Sequence, residues 1–192
     1  YTTEKTIEEI LKKKSLGSID RELFNTINKN SDILIGDLIV SPFGISHDAA
    51  DPVAYTVKHA EDLSKKIGVV TDLGEYNESQ IEILQNCGIL LAESNHDRKM
   101  LEVGPYPYET KRRIMSKYGH LSNDDCSDFV NHLLHGNMKT LLLGHLSKNN
   151  NYELLAYETV RHGIDSGDQE YRANDFDIRV ANSDKPSDII VI

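Results

Sequence analysis

The sequence predicts a layered α/β fold, and three observations carry that expectation. Apolar, β-branched runs dominate residues 32–72, helix-like and strand-like stretches alternate after them, and no repeat, low-complexity tract or linker interrupts the 192 residues. Strands followed by alternating helix and strand suit a sheet with helices packed upon it. The length fits a single domain. Hydrophobic residues at 39% and charged residues at 27% are the proportions of a folded chain rather than a disordered one.

Taken in order, residues 6–14 (TIEEILKKK) are expected as a short helix. Thr6 caps it, Glu9 completes a capping box, the lysines at its end favour the macrodipole, and Gly17 breaks it. Residues 32–46 (DILIGDLIVSPFGIS) alternate and are rich in Ile and Val, which predicts strands. Residues 53–58 (VAYTVK), behind Pro52, and 67–72 (IGVVTD) are expected to pair as a hairpin across a connection longer than a tight turn. Residues 78–87 read as a helix and 88–92 (GILLA) as a buried strand. Residues 108–118 and 123–135 read as two helices, 140–144 (TLLLG) as a buried strand, and 150–162 as a helix opened by a polar run. In the tail, 176–180 and 189–192 are strand-like.

Charge narrows the function classes. With 21 Lys+Arg against 31 Asp+Glu the chain carries −10 at neutral pH, which disfavours a broad, non-specific grip on nucleic acid or an anionic membrane. A local basic patch, or a site where bound cations invert the field, remains compatible with that charge. Cys87 and Cys126 are too few for a disulfide scaffold or a thiolate zinc site, so a cytoplasmic compartment is the expectation. No apolar run approaches a membrane span, no signal-peptide pattern opens the chain, and Tyr1 is not expected to be a native start.

Polar groups follow directly on apolar runs at four places: His47-Asp48, Asp72 in VVTDLG, Glu93 to Asp97 with His96, and His145 in LLLGHLS. Strand ends place side chains at one rim of a sheet, where open α/β sheets hold their ligands. A convergent set of imidazoles and carboxylates suits zinc, manganese or iron. Each residue also has an ordinary reading. An Asp after a strand is commonly a turn or cap residue, and a lone His beside a Gly commonly bonds a backbone group. His59, His132, His135 and His162 fall in or near helical stretches and are given no role. Asn95 to Pro107 reads as a polar turn followed by a rigid Pro-rich loop. In GHLSN, Ser122 or Asn123 caps the following helix, whose free N–H groups favour an anion. Lys111, Arg112, Arg113 and Lys117 lie just upstream, with 113 and 117 on one helical face. That face is either solvated or turned towards a phosphate.

SHDAADPVAY (46–55), VVTDLG (69–74), LAESNHDRKML (91–101), GPYP (104–107), KRRI (111–114), GHLSN (119–123) and LLGHLSKNNN (142–151) occur in one order. As a set they resemble the WalJ/YycJ (VicX) group of metallo-β-lactamase-fold hydrolases, over most of the chain to about residue 158. The resemblance implies a four-layer αβ/βα sandwich with two divalent metal ions at the sheet rim. The activity it implies is phosphodiester hydrolysis by a metal-activated hydroxide, in this group as a DNA exonuclease. It assigns His47 and His145 as metal ligands and Asp72 as the carboxylate bridging both metals. It places His120 as a non-ligand histidine near the substrate phosphate, able to protonate the leaving side, and His96 as a further rim residue, and these two are the candidate catalytic residues. Lys111, Arg113 and Ser122 are the candidate phosphate contacts.

One departure stands out. The family's leading His-x-His-x-Asp-His motif is absent, and no His-x-His pair occurs anywhere in the chain. Residues 1–192 are therefore expected to be the C-terminal part of a single metallo-β-lactamase-fold domain, inactive alone, whose partner is the N-terminal half of the same fold. A half sandwich is further expected to leave one face of its sheet uncovered. The competing expectations are a hydrolase of a small phosphodiester or ester on the same fold, and a non-catalytic regulatory module.

Overall fold

The computed structural model describes residues 1–192. The chain opens with a small unit in which β1 (Thr2–Thr3) and β2 (Thr26–Ile27) pair in parallel around α1 (Glu4–Lys12). Ile7 and Ile27 are buried in this unit. The helix begins behind Thr3, earlier than expected, because Thr3 and not Thr6 takes the extended backbone of a cap. Gly17, at φ 73°, supplies the left-handed turn that ends the segment.

Seven strands then form one mixed sheet in sequence order: β3 (Ile33–Ile35), β4 (Leu38–Gly44), β5 (Val53–His59), β6 (Asp62–Val70), β7 (Ile89–Glu93), β8 (Thr140–Gly144) and β9 (Asp177–Val180). The first four run antiparallel as hairpins, and β6 to β9 run parallel through helical crossovers. The β5–β6 connection is a tight turn, with His59 opposite Asp62. The run DLSKK had read as a connection because it is polar; it is the exposed outer part of β6. The helices are α2 (Glu78–Leu84), α3 (Arg98–Val103), α4 (Tyr108–Ile114), α5 (Asn123–Asn131) and α6 (Glu153–Ser166). The short α3, capped by Asp97, falls where the sequence had suggested only a turn. Residues 189–192 form no strand.

Alternation along each strand decides what is buried. Val70, Ala92 and Leu143 stand in register across β6, β7 and β8. They meet Leu84, Cys126, Phe129, Val130, Val160 and Ile164 from α2, α5 and α6 in the main core. The opposite parity gives a second row, Tyr55, Val69, Leu91 and Leu142, also in register. These four apolar side chains remain only half-buried. Helices pack on the first row, and the second row is only partly covered.

Phe129 is fully buried among those helices and packs its ring 4.9 Å from that of Tyr76. Phe129→Ala should lower the unfolding free energy by about 3–5 kcal/mol. Urea denaturation checks this, and an unmoved midpoint would place the core elsewhere.

Candidate metal centre

Because β4, β6, β7 and β8 all point the same way, their C-terminal ends share one edge of the sheet. Four chain segments leave that edge carrying His47, Asp72, Glu93 and His145, while His120 arrives from the loop between α4 and α5. Asp72 is the centre of the group. Its Oδ1 stands 3.5 Å from His47 Nε2, 3.6 Å from His145 Nε2 and 4.0 Å from His120 Nδ1. The His120 ring centroid is 5.0 Å from that of His47 and 5.2 Å from that of His145.

A second tier orients these groups. Glu93 is fully buried. Its Oε1 accepts from His120 Nδ1 at 2.7 Å and His145 Nδ1 at 2.5 Å, and its Oε2 from the Leu73 N–H at 2.7 Å. Burial alone would push the Glu93 carboxyl up, but the donors from His120 and His145 reverse this and hold it below its ordinary range. In return the bond to Glu93 pushes the His145 imidazole up, against burial. His47 Nδ1 donates to the Gly119 carbonyl at 3.1 Å. Each acceptor is an oxygen, so each Nδ1 carries the hydrogen and leaves Nε2 with a free lone pair, the tautomer a metal-binding imidazole needs.

The backbone is bent to suit. Asp72 and His145 both adopt φ 58°, left-handed backbone that side-chain-bearing residues enter at a cost. The Leu73 N–H bond to Glu93 holds the first, and Asn95 Nδ2, donating to the His145 carbonyl at 2.7 Å, holds the second. Two glycines in the recognised motifs are close-approach positions. A Cβ on Gly74 would collide with the Lys117 carbonyl, and one on Gly119 with the carbonyls of Arg113 and Ile114. These contacts press the DLG turn and the GHLSN loop together, which brings His120 beside Asp72.

The other expected site residues sit differently. His96 is 2% exposed, away from the Asp72 group, and forms part of the wall of an adjoining cleft. Burial pushes its imidazole down to about 4, so it is neutral near pH 7. One of its ring nitrogens, Nδ1, has no hydrogen-bond partner. Ser122 is a correction: its hydroxyl is buried, accepts from Asp125 N–H and Arg98 Nε, and bonds the Asp125 carboxylate, so it caps α5 and has nothing left for a phosphate. Arg113 is engaged as well, forked onto the Asp48 carboxylate with Nη2 to Oδ1 at 2.7 Å. That bond holds Asp48 below the usual carboxylate range and steadies the residue beside His47. Lys111 donates to the Glu102 carbonyl at 2.7 Å and lines the cleft. Glu93 stood in the sequence only as the start of a polar run, with no role of its own. Its signal was a single carboxylate closing the otherwise apolar strand ILLAE.

The donor set fits a metal: His47, Asp72 and His120 each bring a ligand-type atom within 4.8 Å of the others, as do Glu93, His120 and His145. For bonds of about 2.0–2.2 Å, tetrahedral ligand atoms stand roughly 3.3–3.6 Å apart, which matches the Asp72 separations of 3.5 and 3.6 Å. Each ligating imidazole also has its outward nitrogen bonded to oxygen, as metal-bound histidines almost always do.

No family model matches the chain. It is 33% identical over 168 residues to the exodeoxyribonuclease WalJ of Streptococcus pneumoniae serotype 2 (strain D39 / NCTC 7466), covering 88% of this chain and 61% of that protein. It is 36% identical over 125 residues to the exodeoxyribonuclease YycJ of Bacillus anthracis, covering 65% of this chain and 46% of that one. The chain thus spans less than two thirds of the length of these relatives. Among solved structures, Zn(2+)-bound PqqB from Methylobacterium extorquens superposes with a TM-score of 0.60 at 14% identity, over 94% of this chain and 59% of that one. The metallo-β-lactamase fold protein YhfI from Bacillus subtilis does so with a TM-score of 0.57 at 13% identity, over 83% and 52%. The fold is that of the metallo-β-lactamase proteins.

Glu93→Gln keeps the volume but offers His120 and His145 a weaker, neutral acceptor. Metal affinity should fall about 10–100-fold, read by competition with a chelator; unchanged affinity would make Glu93 a packing residue only. Proton linkage has a definite sign. The raised His145 value means that its proton stabilises the metal-free fold at low pH, and that this contribution disappears as pH rises through the folded value. A metal must displace that proton, so metal binding should tighten as pH rises through the same range and should release protons. Calorimetry in buffers of different ionisation enthalpy measures the release.

Proposed function

We infer that this metallo-β-lactamase-fold chain, related in sequence to the WalJ/YycJ exonucleases, is the C-terminal part of a single hydrolase domain that cleaves phosphodiester bonds in DNA. The observation that carries the reading is the Asp72 carboxylate, ringed by three imidazoles at 3.5–4.0 Å. Two divalent cations are the cofactors this reading requires, and His47, Asp72 and His145 would be among the residues that hold them. Zinc and manganese suit the nitrogen and oxygen donors, and iron is compatible. Three ligands do not complete two coordination shells, since a zinc ion alone takes three or four protein ligands. The remainder is assigned to the N-terminal half of the same fold, which would also cover the half-buried row of Tyr55, Val69, Leu91 and Leu142.

When bound, the cations would supply an activated water and neutralise charge on the phosphate in the transition state. The chain's own residues do the rest. Glu93 fixes the rings of His120 and His145 through one carboxylate oxygen. His120 spends Nδ1 on Glu93 and so has Nε2 available to hold a proton for the leaving oxygen. The Arg113–Asp48 fork keeps the His47 loop in place. A second reading, hydrolysis of a small phosphodiester, is favoured by the net charge of −10. The adjoining cleft points the same way, since Arg98, Lys111 and Lys117 are matched there by Glu75, Glu102 and Asp125.

Activity of the intact protein on linear DNA, with metal content measured in parallel, tests the reading. Asp72→Ala and His145→Ala should abolish metal-dependent cleavage with the melting temperature nearly kept. His120→Ala should slow cleavage about 10²–10⁴-fold with metal content unchanged. Loss of metal in His120→Ala would make that residue a ligand, and hydrolysis confined to small diesters would select the second reading.

A further inference from the structure

Beside the Asp72 group, sharing His120 with it, lies an open cleft of about 920 Å³. That volume falls at the upper end of the roughly 300–1,000 Å³ of ordinary ligand sites. Its surroundings are unusual for an acidic protein. Tyr108 is 71% exposed and Met115 55% exposed, large apolar groups left open to solvent at a site where Arg98, Lys111 and Lys117 stand among Glu75, Glu102 and Asp125. The Arg112 guanidinium stacks 5.8 Å from the centroid of the Tyr108 ring and steadies it. On the inner wall stands His96, buried and with one ring nitrogen unpartnered. A buried polar atom without a partner costs about 1–3 kcal/mol, a cost that a bound group or an ordered water at the site would relieve.

We propose that this cleft receives the end of the DNA strand being cut as two or three unpaired, unstacked nucleotides. Their bases lie on Tyr108 and Met115 and their phosphates beside Lys111 and Lys117. The proposal rests on the phosphodiesterase reading and adds to it the form in which the strand enters. The exposed ring argues for it, since this chain, at −10, offers no long row of cations to duplex phosphates. Its grip has to come from a few local cations and from stacking, the pairing by which proteins hold single strands. A rigid duplex presents its bases edge-on within the grooves, whereas an exposed tyrosine needs a free base face. The leaving side of the scissile bond then lies next to His120, the residue shared by cleft and metal group.

The test uses the intact protein and two measurements. Anisotropy of a fluorescein-labelled oligo-dT in the presence of EDTA reads the cleft without catalysis. Tyr108→Ala should weaken that binding about 5–100-fold, and Lys111→Ala should reduce the salt slope by about one charge. Both side chains are solvent-facing, and circular dichroism controls for folding. In turnover, the Tyr108→Ala loss on oligo-dT should exceed its loss on bis(4-nitrophenyl) phosphate by about tenfold or more. Duplexes whose last three pairs are mismatched should be cut faster than duplexes with chemically crosslinked terminal pairs. Unchanged binding in Tyr108→Ala, equal losses on the two substrates, equal cutting of frayed and crosslinked ends, or preference for an RNA oligomer would each overturn the proposal. If no diester is hydrolysed at all, the phosphodiesterase reading fails while the anisotropy still reports on the cleft.

Discussion

A single buried carboxylate organises this molecule. Glu93 closes the interior strand β7 and accepts three hydrogen bonds, from the backbone beside Asp72 and from the rings of His120 and His145. Without those donors the charge would be untenable in a fully buried position, and the group would take up a proton instead. With them the charge is kept and each donor is aimed. Two of the three segments that reach the sheet edge beside it are strained at the residue that matters, Asp72 and His145. The geometry of the site is thus a property of the network and not of any one loop.

The sheet explains why the network can exist. Three hairpin turns followed by parallel crossovers deliver four strands to one edge in the same direction. The core beneath them is helix on sheet, and only one parity of each strand takes part in it. The other parity is apolar and half-covered. The chain spans less than two thirds of the length of its relatives.

Much of this was legible in the residues, and the exceptions have physical causes. The strand TLLLG was readable because its apolar run is continuous and four of its five residues are buried. Asp72, His47 and His145 were readable because each follows such a run within a few residues, so topology alone brings them together. The outer half of β6 was hidden because a solvated strand tip has the composition of a loop. The start of α1 was misplaced because a threonine that caps and a threonine inside the first turn look alike without backbone angles. Glu93 was hidden for the opposite reason. A charge at the end of an apolar strand reads as the point where the strand leaves the core, and only its three partners reveal that it stays inside. Arg113 and Ser122 looked like free phosphate contacts because a sequence does not show that Asp48 and Asp125 already occupy them.

Helix α4 links the cleft to a loop far from it along the chain. At its first turn it holds Tyr108 and Lys111 on the cleft, and near its end Arg113 grips Asp48, the neighbour of His47. Seven residues of helix behave as a short stiff rod, so a load applied at one end is transmitted to the other. A strand seated against the tyrosine would therefore lie on the same helix that anchors, through the Arg113 guanidinium, the loop carrying His47.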